Sequence, residues 1–271
     1  MNISMRMLQL RGKTNELMLR FPAAVCWQVI GFFVGAAIIL LRSGGTPPFD
    51  TASTELFDHL VRLIPALAGA WLTAAVCRLL ADTVPIKRAT LLSAAASAAL
   101  FATLACTWYG VEKPSSHLLI GTGGVLFALS FLALFFLERS NNAPGLPALL
   151  FAAGFSFGTS ILLFIGLTIC SAAFWALVFT NADAWTTETS YLFIGLIAYH
   201  VWGLSAFLGA LPKAGERYEF SCAAEKVLLY LLFPVYALLL IVLYLYVGKI
   251  ILAGEMPVGT MNWYASFALF G

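Results

Sequence analysis

The sequence predicts an all-α fold: a polytopic transmembrane helical bundle of seven complete spans plus the start of an eighth, with a cytoplasmic N-terminus. Three observations predict it. Seven apolar runs recur at about Phe21–Leu41, Leu60–Leu80, Ala89–Trp108, Leu118–Leu137, Phe155–Thr180, Tyr191–Leu211 and Val227–Gly248. Most are close to the ~20 residues that a helix needs to cross ~30 Å of hydrocarbon. The chain is 61% hydrophobic and only 10% charged, which excludes a soluble globular domain. Its basic residues are also one-sided. With the N-terminus inside, Arg6, Arg11, Lys13, Arg20, Arg78, Lys87, Arg88, Arg139, Lys213, Arg217 and Lys226 face the cytoplasm, leaving only Arg42, Arg62, Lys113 and Lys249 outside. Positively charged loops stay cytoplasmic, whereas acids contribute little. The acids divide six inside and seven outside.

Residues 1–20 read as a basic cytoplasmic segment and 21–271 as a single transmembrane domain. Met5, Leu8, Leu10, Leu17 and Met18 among the basic residues of the first segment suit either a helix on the inner leaflet or a tail that only fixes orientation. The first apolar run is longer than the 7–15 residues of a signal-peptide core and lacks a small-residue cleavage site, so it reads as an anchor. Gly44, Gly45, Pro47 and Pro48 mark Arg42–Asp58 as the outer loop. The other connections are short and predict antiparallel neighbours. Leu146–Thr180 is too long for one ordinary span. Pro147 suits a first turn, so Leu146–Ala153 lies along the interface before a span from Phe155, or the whole stretch is one steeply tilted helix. Two spans here would leave backbone groups unpaired in lipid and reverse the later loops against the charge bias. Trp263 and Tyr264 read as interface anchors opening the eighth span, of which only about a third of a crossing follows. This predicts a chain that continues further.

The segment from Phe233-Pro-Val-Tyr to Gly-Glu-Met-Pro-Val-Gly259 resembles a bacterial family of multi-spanning membrane proteins known as a domain of unknown function (family 4153). Pro234, Tyr236, Tyr244, Tyr246, Lys249, Glu255 and Pro257 carry the resemblance, whose specific part covers about residues 191–260. It implies a multi-pass protein of the bacterial cytoplasmic (inner) membrane, further helices after residue 271, and no established activity.

Few side chains carry candidate chemistry. His200 is the only histidine well inside a span, and intramembrane ionisable groups are expensive. At 1.5 Å per residue it sits roughly 16 Å deep from the cytoplasmic end, with Tyr236 at about 14 Å and Gln28 at about 10 Å. Gln28, His200 and Tyr236 therefore form a candidate polar site near mid-membrane; the bland alternative is a neutral histidine that ties two helices together. Of Tyr230, Tyr236, Tyr244 and Tyr246, only Tyr236 reads as deep enough to need a partner, the others as interfacial-belt residues. Lys249 and Glu255 form a candidate outer-end pair, the alternative being a lysine that snorkels on its apolar stem and a solvated acid. Arg62 can meet Asp58 one turn earlier, and Arg78, Lys87 and Arg88 suit anionic lipid. Gly31/Gly35, Gly154/Gly158 and the Ala94, Ala98, Ala102 stripe predict close helix packing. Gly121-Thr-Gly-Gly124 follows no strand and reads as part of a helix.

Cys26, Cys77, Cys106, Cys170 and Cys222 have no metal spacing and are expected as free thiols. No H-E-x-x-H or Walker motif occurs, so no cofactor, metal or nucleic-acid partner is expected. The expected partners are the lipid bilayer and another membrane protein or a second copy. The first functional reading is a non-enzymatic scaffold, sensor or accessory membrane subunit. The second is a transporter or channel-like permease for a small solute or ion, lined by Gln28, His200, Tyr236 and Lys249. A third, an intramembrane lipid enzyme with His200 as base, lacks an acid at matching depth.

Overall fold

A computed structural model describes residues 16–43, 51–83, 88–111, 115–141, 145–177, 184–212 and 233–253. All of its described elements are helices: α1 Pro22–Ser43, α2 Thr51–Thr83, α3 Ala89–Tyr109, α4 Ser116–Asn141, α5 Gly145–Leu177, α6 Ala184–Gly195, a π-helical segment Leu196–Gly203, α7 Leu204–Ala210 and α8 Phe233–Ala253. Six stretches are long and apolar enough to cross a membrane: Pro22–Arg42, Glu55–Thr83, Ala89–Tyr109, Ser116–Arg139, Ala148–Leu177 and Thr186–Ala210. Helix α8 contributes a shorter apolar stretch, Pro234–Lys249. The beginning of the expected seventh span, before Phe233, and the expected eighth lie outside the described residues.

Two elements differ from their sequence-based expectation. Residues 51–58, expected in the outer loop, are the first turns of α2. Hydropathy marks where hydrocarbon begins, and a helix with polar residues in its first turns runs past that point. Residues 145–177 form one uninterrupted 33-residue helix, with Pro147 in its first turn, so a single long helix replaces the expected break before Phe155.

The chain divides into two compact units. The first comprises Met1–Ser156 and Leu204–Tyr218, the second Phe157–Gly203 and Glu219–Gly271. In the first, α2 is the central helix and packs against α1, α3 and α4. Of its apolar window 44% is buried, against 11% for α1 and α4. The cause lies in its side chains. Ala66, Ala70, Ala74 and Ala75 are buried on one face, and at Gly69 a Cβ atom would stand 2.6 Å from Leu104 Cδ1. Small residues let helices approach closely where lipid removes the hydrophobic drive to associate. The expected small-residue stripes sit elsewhere. Ala94, Ala98 and Ala102 are exposed on α3, whose buried residues are Ser93, Ser97, Leu104 and Trp108. At Gly154 and Gly158 a Cβ would meet nothing within 4 Å.

Polar ties complete this unit. Trp27 Nε1 donates to Ser97 Oγ (2.9 Å) and Trp108 Nε1 to Thr122 Oγ1 (3.1 Å). Arg20 reaches three acceptors: Leu211 O (2.9 Å), Pro212 O (2.8 Å) and Asp82 Oδ2 (3.1 Å). Its guanidinium thus covers carbonyls at the end of α7, where the helix dipole is negative, and joins α7 to α2. Arg78 meets the same carboxylate at 3.8 Å, a pairing that the sequence reading gave to lipid. At the other end Arg62 donates to Val111 O (3.0 Å), Tyr109 Oη donates to His59 O (2.9 Å), and the His59 and Tyr109 rings stack at 5.4 Å.

In the second unit α5 packs on α8 through Cys170, Ala173, Leu177, Leu239, Val242 and Tyr246. Gly166 lies directly against Val235, leaving no room for a Cβ. Tyr246, expected at the interface, is only 3% exposed, whereas Tyr244 is 74% exposed. Two residues apart on one helix, they face opposite ways, and depth alone cannot separate them.

Candidate functional site

The sixth span changes its hydrogen-bonding pattern near its middle. Leu196–Gly203, between Gly195 and Leu204, is π-helical and carries Tyr199, His200 and Trp202. Long π segments are rare and concentrate at functional sites, because wider hydrogen bonding redirects side chains and frees backbone groups. Here Trp202 Nε1 donates to Thr159 Oγ1 on α5 (3.1 Å), and the Tyr199 ring lies 5.6 Å from Phe164. His200 is half-buried within the same turn.

The expected polar site is distributed over both units. His200 and the half-buried Tyr236 lie in the second unit, and Gln28 in the first. Gln28 is 6% exposed, and its Nε2 donates to Ser205 Oγ at 2.9 Å, a tie between α1 and α7. Lys249 Nζ donates to Leu177 O, the last residue of α5, at 3.2 Å. An ammonium at the negative end of a helix is a stabilising arrangement. Its expected partner Glu255 lies outside the described residues.

The second unit holds a cleft of about 500 Å³ between α5, α6 and α8. Its lining is mostly apolar, with Leu167, Phe174, Trp175, Phe193, Leu238 and Val242, and Ser171, Thr186, Thr189 and Ser190 also border it. Ser190 Oγ donates to Thr186 O at 2.8 Å. Thr189 Oγ1 is buried yet makes no hydrogen bond. A buried, unpaired hydroxyl costs about 1–3 kcal/mol. The cleft was not foreseen in the sequence; its only trace there is the hydroxyl-rich Thr186-Thr-Glu-Thr-Ser190 ahead of an apolar run.

The described cysteines are free thiols, Cys26 and Cys106 exposed and Cys170 buried with Sγ 3.6 Å from Val235 O. Among the described residues no group of three His, Cys, Asp or Glu side chains is placed to hold a metal ion. Comparison of the chain with family models, curated proteins and solved structures finds no match.

Proposed function

We propose that this protein is a bacterial inner-membrane protein with a cytoplasmic N-terminus that acts without enzymatic chemistry, as a scaffold, sensor or accessory membrane subunit. Seven crossings, with α8 as part of the seventh, fit the one-sided distribution of Lys and Arg. The resemblance of Phe233–Gly259 to family 4153 favours the same location. One observation carries the functional part. Four pairs of polar side chains inside the spans tie helices together: Trp27 with Ser97, Gln28 with Ser205, Trp108 with Thr122 and Trp202 with Thr159. Such bonds add stability and register to a bundle in lipid. A solute pathway needs polar groups turned toward water instead.

A thermal-unfolding screen of the purified protein against solutes, ions and lipids tests this reading. A ligand at a hundredfold its dissociation constant stabilises the folded state by ~2.7 kcal/mol. The scaffold or sensor reading expects a response to lipids alone. A soluble ligand whose effect disappears in His200→Ala, together with flux into proteoliposomes, overturns it. The permease reading is kept for one reason: His200 sits in the π-helical segment, where side chains are most readily redirected.

A further inference from the structure

We infer that Arg78, on α2, binds the phosphate of an anionic phospholipid through the outer edge of its guanidinium, beside the Asp82 carboxylate that it shares with Arg20. The inference goes beyond the scaffold and permease readings and depends on neither.

Charge is the first argument. Arg20 Nη2 donates to Asp82 Oδ2 at 3.1 Å, and Arg78 Nε stands 3.8 Å from Asp82 Oδ1. Two guanidiniums thus share one carboxylate, and one positive charge is left over. Arg20 has committed its fork to Asp82 and to the carbonyls of Leu211 and Pro212. Arg78 has committed nothing. A separation of 3.8 Å is too long for a hydrogen bond, and Nε is buried without a partner. Nη1 and Nη2 are also unbonded, but they are not buried, and 28% of the side chain is exposed. The guanidinium is planar, and Nε is its atom nearest Asp82. The far edge, bearing Nη1 and Nη2, is therefore left open, and that edge pairs bidentately with phosphate.

Depth is the second argument. The apolar stretch of α2, Glu55–Thr83, has 29 residues. At 1.5 Å per residue it is about 43 Å long, against ~30 Å of hydrocarbon and ~40–45 Å with the headgroups included. Arg78 lies five residues before its end, about 7–8 Å in. That is where hydrocarbon gives way to headgroups. An excess charge is expensive at this depth unless it is paired, and phospholipid phosphates are the anions already present there. A partner's carboxylate would have to be carried to the same level at its own desolvation cost. A soluble phosphate would have to leave its hydration.

The test is native mass spectrometry of the full-length protein, released from detergent micelles that carry graded amounts of phosphatidylglycerol or phosphatidylcholine. The first phosphatidylglycerol is expected to bind more tightly than the first phosphatidylcholine. Arg78→Gln, which stays polar and removes the fork, should weaken it about tenfold, the low end for a hydrogen bond to a charged group. Arg78→Lys should recover only part of this, since a point charge does not grip two oxygens. Arg139→Gln removes the same charge from an exposed position on α4 and should change binding by no more than about twofold. Melting in phosphatidylcholine alone reports whether each variant is folded, and Arg78→Lys carries the test if Arg78→Gln is not. Equal binding of the two lipids, equal losses in Arg78→Gln and Arg139→Gln, or full recovery in Arg78→Lys overturns the inference. Stabilisation by inorganic phosphate at constant ionic strength, with none by phosphatidylglycerol, also overturns it, because the anion is then a soluble one. So does an acidic segment of another protein crosslinked at residue 78.

Discussion

The two units draw on the same apolar alphabet and pack differently. In the first, α2 turns Ala66, Gly69, Ala70 and Ala74 toward its neighbours, and Leu104 fills the space at Gly69. In the second, one close approach at Gly166 and Val235 holds α5 to α8, and α6 meets them across large side chains such as Phe193 and Leu167 that leave a cleft. Where every surface is apolar, hydrophobicity does not choose partners. Side-chain size and a few polar ties decide which helices close and which stay apart. The first unit binds a carboxylate and two carbonyls with Arg20, and each unit leaves buried donors without hydrogen-bond partners, Trp71 Nε1 in the first and the hydroxyls of Thr168, Thr189 and Tyr246 in the second.

Substitutions can break or sharpen this contrast. The largest effect is expected from Arg20→Ala, which leaves two helix-end carbonyls and most of the Asp82 pairing unmet. It should cost about 3 kcal/mol in denaturant unfolding of the reconstituted protein. Arg20→Lys should recover only part, because a point charge cannot serve three acceptors as the planar fork does. Gly69→Val comes next, at about 1–3 kcal/mol of overpacking against Leu104. Gly166→Ala should loosen the second unit similarly, seen as faster hydrogen exchange in α8 than in α2. Trp108→Phe and Trp202→Phe each remove one hydrogen bond and should cost about 1 kcal/mol. Double-mutant cycles with Thr122→Val and Thr159→Val would show whether both units value such a tie equally. The smallest effect is expected from Gly154→Ala: within about 0.5 kcal/mol by thermal unfolding, since the added methyl meets open space. A large loss there would mean that this face is covered by a partner.

Much of this was legible in the sequence. Six of the seven apolar runs correspond to helices able to cross a membrane, and His200 stood out as an ionisable group inside one of them. The motifs that promised packing were less informative. Ala94, Ala98 and Ala102, like Gly154 and Gly158, have the required spacing but point outward, while the stripe that does pack, on α2, was passed over. Spacing shows that residues share a face; it does not show which way that face turns. Tyr246 was misjudged for the same reason, since depth along a helix is a property of sequence position and rotation about its axis is not. The start of α2 was placed late because Thr51–Asp58 is polar, and a helix outlasts the hydrocarbon that makes it visible.

Length and apolarity alone determined that the chain forms helices long and apolar enough to cross a membrane, because unpaired backbone groups are prohibitive in lipid and a helix satisfies them within itself. That is a local requirement, met one run at a time. Tertiary structure decided what is not local: that α2 sits at the centre of one unit, that Arg20 joins residues nearly two hundred positions apart, that the sixth span opens into a π turn around His200, and that Thr189 ends with its hydroxyl buried and unspent. Each depends on which faces meet, and that is chosen by the fit of side chains from distant parts of the chain.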